Sequence, residues 1–476
     1  MIHFNKDELR DKISACWIGK NIGGTLGTPY EGKTGLNDIQ GFATAPGKPL
    51  PNDDLDLQLI WLKAMREVGP KALNAKILGE YWVDYITPFW NEYGNGKANM
   101  MAGLLPPMSG QYKNDWKDSN GAWIRTEIWA CLFPGLVEEA IKFAFEDACV
   151  DHGFGEGSYA AIFIAAIESA AFVIQDIRTL IKIGLSKIPA DCRVARSVNI
   201  VLEAFDAGLD WKEAHKRVTD DSLADLGYFQ APANVAYVVL GLLYGGGDFK
   251  KTLILAVNCA DDTDCTAATA GSILGIVYGM KAIPEDWRAH IGDDIITLCV
   301  ARGQTWVPGT CTQLTDEVME TLPLTLFRGK AALINGESDF SGVRPEDYEG
   351  AAFCERMFSR SPWSFEMDLH YATALIELDG PPEIAPGGCV GVKLTLRGKV
   401  GMQKHIALRW VLPEGWRAEG SANMPLLHRP RSGNPSASES FQLLANENVG
   451  AKNRIILELV CEGRPGVGLV PILLFG

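Results

Sequence analysis

The chain has 476 residues, 47% hydrophobic and 22% charged, which suits a soluble protein with a large core and more than one domain. Its net charge of −15 argues against a general binder of nucleic acid or of anionic membranes, whose affinity comes mainly from cationic neutralisation of phosphate. No apolar run is long enough to span a bilayer. Eleven cysteines without CxxC spacing read as reduced core thiols. With an N-terminus that has no signal-peptide core, they point to the cytoplasm.

In chain order, the first twenty residues read as an amphipathic helix with Asn5 as N-cap and Glu8 as its capping-box partner. Apolar residues then recur at three-to-four spacing over residues 56–68, 75–85, 137–148, 159–174, 233–243, 252–258 and 266–278, which predicts helices. The pattern changes after Phe327. Residues 336–361 are polar and loop-like, and beyond Tyr371 the period becomes two. Strands are predicted at 372–378, 390–396, 406–412, 441–444, 455–461 and 468–475, with a long loop over 420–440. The fold class is therefore mainly α: an all-α domain over residues 1–328, a linker over 329–370, and a smaller all-β sandwich domain over 371–476.

Two acidic clusters stand out, Asn52-Asp53-Asp54-Leu55-Asp56 and Asp261-Asp262-Thr263-Asp264, each at the start of a helical pattern. Aspartates cap helices and suit their positive ends, so capping alone accounts for either cluster. Brought together, the two would repel unless protonated or neutralised by cations. Hard oxygen ligands select Mg²⁺ or Mn²⁺, and both readings stay open on the residues alone. The following run, from Thr266 to Gly275, is built from small residues and predicts a tightly packed central helix.

Taken in order, the motifs resemble the ADP-ribosylglycohydrolase family. Gly23-Gly24-Thr25-Leu26-Gly27-Thr28-Pro29-Tyr30-Glu31 is similar to the family's opening motif, Asn52-Asp53-Asp54 to its first metal motif, and Asp262-Thr263-Asp264 to its second. Asn120-Gly121 resembles a substrate-side motif, and Asp151-His152 follows in the expected place. The resemblance implies a metal-dependent glycosyl hydrolase. Asp53, Asp54, Asp262 and Asp264 would hold one or two Mg²⁺ or Mn²⁺ ions, and Glu31, Asp54 and Asp262 would serve the chemistry. Asn120 and Gly121 would contact the ribose, and His152 the phosphate or adenosine side. Asp56 and Asp261 have no counterpart and are expected to be solvated caps.

The chain departs from the family at Gly24, where Asp is usual, and at Asn52, Leu55 and Cys265, where Thr is usual. The implied substrate is a small ribosyl, ADP-ribosyl or sugar compound. A ribofuranoside or nucleoside hydrolase, or a non-catalytic binding or structural relative, are the alternatives. The segment from Pro386-Gly387 to Pro413-Glu414-Gly415-Trp416 is similar to Ig-like modules appended to bacterial glycosidases.

Overall fold

The computed structural model describes residues 1–226, 228–326, 330–399, 403–427 and 434–476. It opens with a short strand β1 (Ile2–Asn5) and the long helix α1 (Lys6–Gly27). Then come α2 (Asp53–Val68), α3 (Ala75–Tyr85), α4 (Asn91–Ala102), α5 (Met108–Gln111), α6 (Glu127–Leu132), α7 (Val137–Asp151) and α8 (Glu156–Ala171). The helical body continues through α9 (Ile177–Ser186), α10 (Arg193–Asp206), α11 (Trp211–Leu226), α12 (Ala231–Gly245), α13 (Phe249–Asn258) and α14 (Thr263–Tyr278). It closes with α15 (Glu285–Ile291) and α16 (Cys311–Thr325).

Three helices, α8, α12 and α14, are buried on nearly every face, as apolar or small-residue text requires. Around them, amphipathic α9 and α10 turn one apolar stripe inward. α1 lies against α14, and the approach depends on missing side chains. A Cβ on Gly23 would sit 2.3 Å from the carbonyl of Ala267, and one on Gly27 would sit 2.3 Å from the backbone of Thr263 and Asp264. The helix start is capped by Asn5, whose side chain accepts from the amides of Asp7 and Glu8. The expected return bond from Glu8 is absent. Its carboxylate accepts from Ser338, and the Asn5 amide donates to the same hydroxyl at 2.8 Å.

The region expected to be a linker is instead structured. The strand β2 (Ala331–Ile334) pairs in parallel with β1, and α17 (Ala352–Phe358) sends Phe353 and Cys354 into the helical core. Residue 328, the expected edge of the helical domain, lies outside the described residues.

The β region begins with β3 (Ser364–Asp368), β4 (Ala372–Leu378), β5 (Cys389–Gly398) and β6 (Lys404–Val411). It continues with β7 (Arg417–Glu419), β8 (Asn423–Leu426), β9 (Ser436–Leu444), β10 (Lys452–Cys461) and β11 (Val467–Phe475). These form two antiparallel sheets, ordered β3-β4-β5-β9-β7 and β11-β10-β6-β8. Strict alternation buries Val390, Val392, Leu394 and Leu396 on one face of β5, as the period of two predicts. Within the stretch expected to be a loop, β8 buries Met424 and Leu426. Both sheets contribute to one hydrophobic cluster, which Leu104, Met108 and Tyr112 of the helical region also enter. Tyr112 stacks on Phe475 at 5.1 Å, and its hydroxyl donates to Glu383 at 2.6 Å.

Among the described helices none is long and apolar enough to cross a membrane. All eleven cysteines are free, and ten of them are buried.

Gly23→Ala should force α1 away from α14. An overpacked core typically loses about 1–3 kcal/mol, which chemical denaturation would read as a lowered midpoint. An unchanged midpoint would show that the two helices can separate at little cost.

Candidate functional site

The end of α1, the start of α2 and the start of α14 converge on a cavity of about 270 Å³. Its walls include Glu31, Asp53, Asp262, Asp264 and Cys265, with Asn120, Gly121 and Ile124 from the segment before α6. Trp90, Asn91, Glu92 and Tyr93 at the start of α4, with Ser119, Phe229 and Leu298, complete it. The two acidic clusters are thus brought together; the first also caps a helix, whereas Asp262 stands at the N-cap of α14 without a side-chain capping bond. Asn52 is the N-cap of α2, its side chain accepting from the Asp54 amide at 2.7 Å.

Each carboxylate is aimed by a neighbour. Tyr93 donates its hydroxyl to Asp53 at 2.9 Å, and Asn52 donates its amide to Asp264 at 3.1 Å. Asn120 donates to Asp262 at 2.6 Å and is itself fixed by the Trp123 indole N–H at 3.0 Å. Asp54 lies deeper, between the Cys265 thiol at 3.3 Å and the Lys20 ammonium at 3.5 Å. Lys20 is buried, and although burial opposes its charge, Glu127 and Asp54 hold it protonated. Yet Asp54 Oδ2, Asp262 Oδ1 and Asp264 Oδ1 are buried and accept no hydrogen bond. Asp54 Oδ2 faces Lys20, but the Asp262 and Asp264 oxygens belong to the cavity wall, and buried oxygens without donors there are what a hard cation would satisfy.

The electrostatics agree. Burial pushes Asp54 and Asp262 well above the carboxylate range, and both are raised further by Asp264. Burial and the Glu31 charge lift Asp264 to about 7. Glu31 stands exposed at the mouth, yet partial desolvation and then Asp53, Asp54 and Asp261 raise it to about 7. Oxygens of Glu31, Asp262 and Asp264 lie within 4.8 Å of one another, as do ligand atoms of Asp54, Asp264 and Cys265. Burial and the surrounding aspartates keep Cys265 as a neutral thiol. Beside Asp54, it acts as a weak donor in place of a hydroxyl.

Several expectations are corrected. His152 does not reach the cavity. It is fully buried, with Nδ1 against Asp151 at 2.9 Å and Nε2 against Ser119 at 3.3 Å, and Asp151 is tied to Arg125. It supports the cavity wall from behind. Asp56 and Asp261 are buried rather than solvated. Asp56 accepts from the amides of Leu298 and Cys299 at 2.5 Å each, and so pins the segment carrying Leu298. Asp261 accepts from the Phe229 amide and, at 2.7 Å, from Asn234. Gly121 leaves room for a neighbouring acid, since a Cβ there would meet Glu92 Oε1 at 2.2 Å. The departures at Gly24 and Asn52 belong together: a Cβ on Gly24 would lie 2.6 Å from the Asn52 amide nitrogen.

Trp90, Glu92, Tyr93, Phe229 and Lys20 were not foreseen. The first three flank or begin α4, whose text NEYGNGKANMMA has no apolar stripe to mark it.

A profile of the ADP-ribosylglycohydrolase family matches residues 5–321, about two thirds of the chain. The protein belongs to the ADP-ribosylglycohydrolase family. It is 24% identical over 294 residues to the ADP-ribosylarginine hydrolase Tri1 of Serratia proteamaculans (strain 568), a match covering 59% of this chain and 75% of that protein. Tri1 of Pseudomonas putida (strain GB-1) is 33% identical over 73 residues, 15% of this chain and 19% of that protein. Among solved structures, an ADP-ribosylglycohydrolase-related protein complex aligns over 68% of this chain and 99% of its own at 20% identity, with a TM-score of 0.40. The family match ends before α17, so the β region lies outside it.

The crowded acids make a prediction about stability. A carboxyl raised in the native state binds its proton more tightly than in the unfolded chain. Stability it contributes at low pH is therefore lost as pH rises towards its native pKa. For Asp264 this window runs from about 4 to about 7. In chelator, Asp264→Asn should melt above the wild type at pH 8 and close to it at pH 5. Equal melting temperatures at both pH values would mean that Asp264 is not strained by its neighbours.

Proposed function

We propose that the protein is a divalent-metal-dependent hydrolase that cleaves a ribosyl glycosidic bond, with ADP-ribosyl compounds as its substrate class. The observation that carries this reading is the pair of buried carboxylate oxygens without donors on Asp262 and Asp264, which line one cavity with Asp53 and Glu31, while Asp54 lies behind them beside Lys20. Asp53, Asp54, Asp262 and Asp264 would hold one or two Mg²⁺ or Mn²⁺ ions. Such ions lower the pKa of water and polarise oxygen. Glu31, with its carboxyl near 7 in the metal-free chain, is placed to orient the attacking water and take its proton. The carboxylates stabilise positive charge developing on the ribosyl ring. Asn120 contributes by fixing Asp262, and Gly121 by keeping the wall thin. The names of the Tri1 relatives support an ADP-ribosyl linkage, and the family match supports the hydrolase class.

One observation favours a smaller ribosyl or nucleoside glycoside. Among the described residues lining the cavity there is no Lys or Arg to receive a diphosphate. We read the C-terminal sheets, which share one hydrophobic cluster, as the Ig-like sandwich their sequence resembles, appended to the catalytic body.

The protein should turn over with Mg²⁺ and lose activity in chelator. Asp54→Asn and Asp262→Asn should lower turnover at least a hundredfold while leaving far-ultraviolet dichroism unchanged. Product release from ADP-ribosyl-arginine and from a nucleoside, measured side by side, tests the substrate class. Full activity in chelator would remove the metal from the reaction, and metal binding without turnover on either substrate would leave a non-catalytic relative.

Cys265→Thr should tighten Mg²⁺ binding, because it offers oxygen where the thiol offers sulfur. Calorimetric titration of the variant against the wild type checks this. Unchanged affinity would show that position 265 lies outside the coordination shell.

A further inference from the structure

Phe229, Ala260 and Asp261 carry side chains on left-handed backbone, with φ of +60°, +65° and +60°. Such conformations cost free energy in any residue but glycine and persist where the surroundings over-determine them. Here the surroundings are one residue. Asp261 is 2% exposed, and both its main chain and its carboxylate are engaged. Its carbonyl accepts from the Gly32 amide at 2.8 Å, and its own amide donates to the Lys33 carbonyl at 2.9 Å. Those two bonds hold the loop that carries Glu31. Its carboxylate accepts from the Phe229 amide, 3.2 Å to each oxygen, and from the Asn234 side chain at 2.7 Å. Asn234 in turn accepts from the Asp262 amide at 3.3 Å.

Glu31, Phe229 and Asp262 all line the cavity, and each is bonded to Asp261 within a residue or two along the chain. Lys33, whose ammonium lies 4.7 Å from the Tyr30 ring centre, adds a contact on the outer side of the first loop.

We propose that Asp261 is a positioning residue that staples the Glu31 loop to the Phe229 segment and so fixes the width of the cavity mouth. Its kinetic consequence rests on the cavity being the substrate site, as proposed above, whereas the staple itself does not. Glycine at this position would satisfy the left-handed backbone without strain, but it would leave the Phe229 amide without its acceptor and the Asn234 side-chain amide with only the Gln230 carbonyl. Asparagine would keep an acceptor oxygen. The main-chain bonds hold the Glu31 loop and the side chain holds the Phe229 segment, so removing the side chain releases the turn that both segments share.

Hydrogen–deuterium exchange on the full chain tests the staple without any substrate. Asp261→Gly should speed exchange at least tenfold over residues 228–234 and also over 31–37, while Asp261→Asn stays within threefold of the wild type in both. Asn234→Ala, away from the turn, should speed both segments to a smaller degree, and it decides the matter if Asp261→Gly does not fold. Faster exchange confined to 228–234 in the folded variants would overturn the staple, because Asp261 would then act on one segment only.

The kinetic arm uses whichever ribosyl substrate the wild type cleaves. Asp261→Gly and Phe229→Gly should each raise KM at least fivefold with kcat within twofold, and the double variant should be no worse than either. Unchanged KM in Asp261→Gly would overturn the control of mouth width. A wild type without turnover would instead overturn the functional reading and leave the exchange result to stand alone.

Discussion

The approach of α1 to α14 is the constraint on which the rest of the molecule depends. Two helices with ordinary side chains lie 8–10 Å apart; here glycines meet carbonyl groups, and the backbones touch. Gly27 abuts Asp264 itself, so the contact that closes the core also sets the distance between the end of α1 and the second acidic cluster. Glu31 lies four residues beyond. The site is a product of helix packing, and its geometry is only as rigid as that seam.

Packing delivers the acids to one place, and a layer of donors then holds them there. Tyr93, Asn52, Asn120 and Cys265 each engage one carboxylate oxygen, and Lys20 is shared between Asp54 and Glu127. A fully satisfied cluster would be inert and stable. This one keeps oxygens free facing the cavity, at a cost in stability that bound cations would offset. Lys20 tempers the charge from behind, where it cannot compete with a ligand in front.

Local signals were legible in the sequence and tertiary ones were not. Both acidic motifs could be read because each sits within five residues, and helices such as α2, α3 and α14 because their apolar spacing is regular. Asn120 and Gly121 also reach the cavity, placed there by family resemblance rather than by any property of two adjacent letters. His152 misled because sequence order says nothing about which side of a wall a side chain occupies. Asp261 and Asp56 misled for a related reason: an acid beside a helix start is normally solvated, and only the folded chain shows the amides that bury them. The strands β1 and β2 are four residues each and lie over 300 residues apart, too short and too distant for periodicity to reveal. The polar text of the expected linker conceals two residues, Phe353 and Cys354, that reach the helical core.

The seam between α1 and α14 also governs how the chain comes into being. Its two halves are about 240 residues apart, so synthesis at about 5–20 residues per second delays the partner by roughly 10–50 s. Throughout that interval α1 has been made but its glycine face has nothing to close against, and β1 waits longer still for β2. The first helix of the protein is therefore among the last to find its place. A nascent chain of this kind needs shielding at its beginning rather than its end, and misfolding caused by a bulky residue in α1 would start before the acids at the start of α14 had been translated.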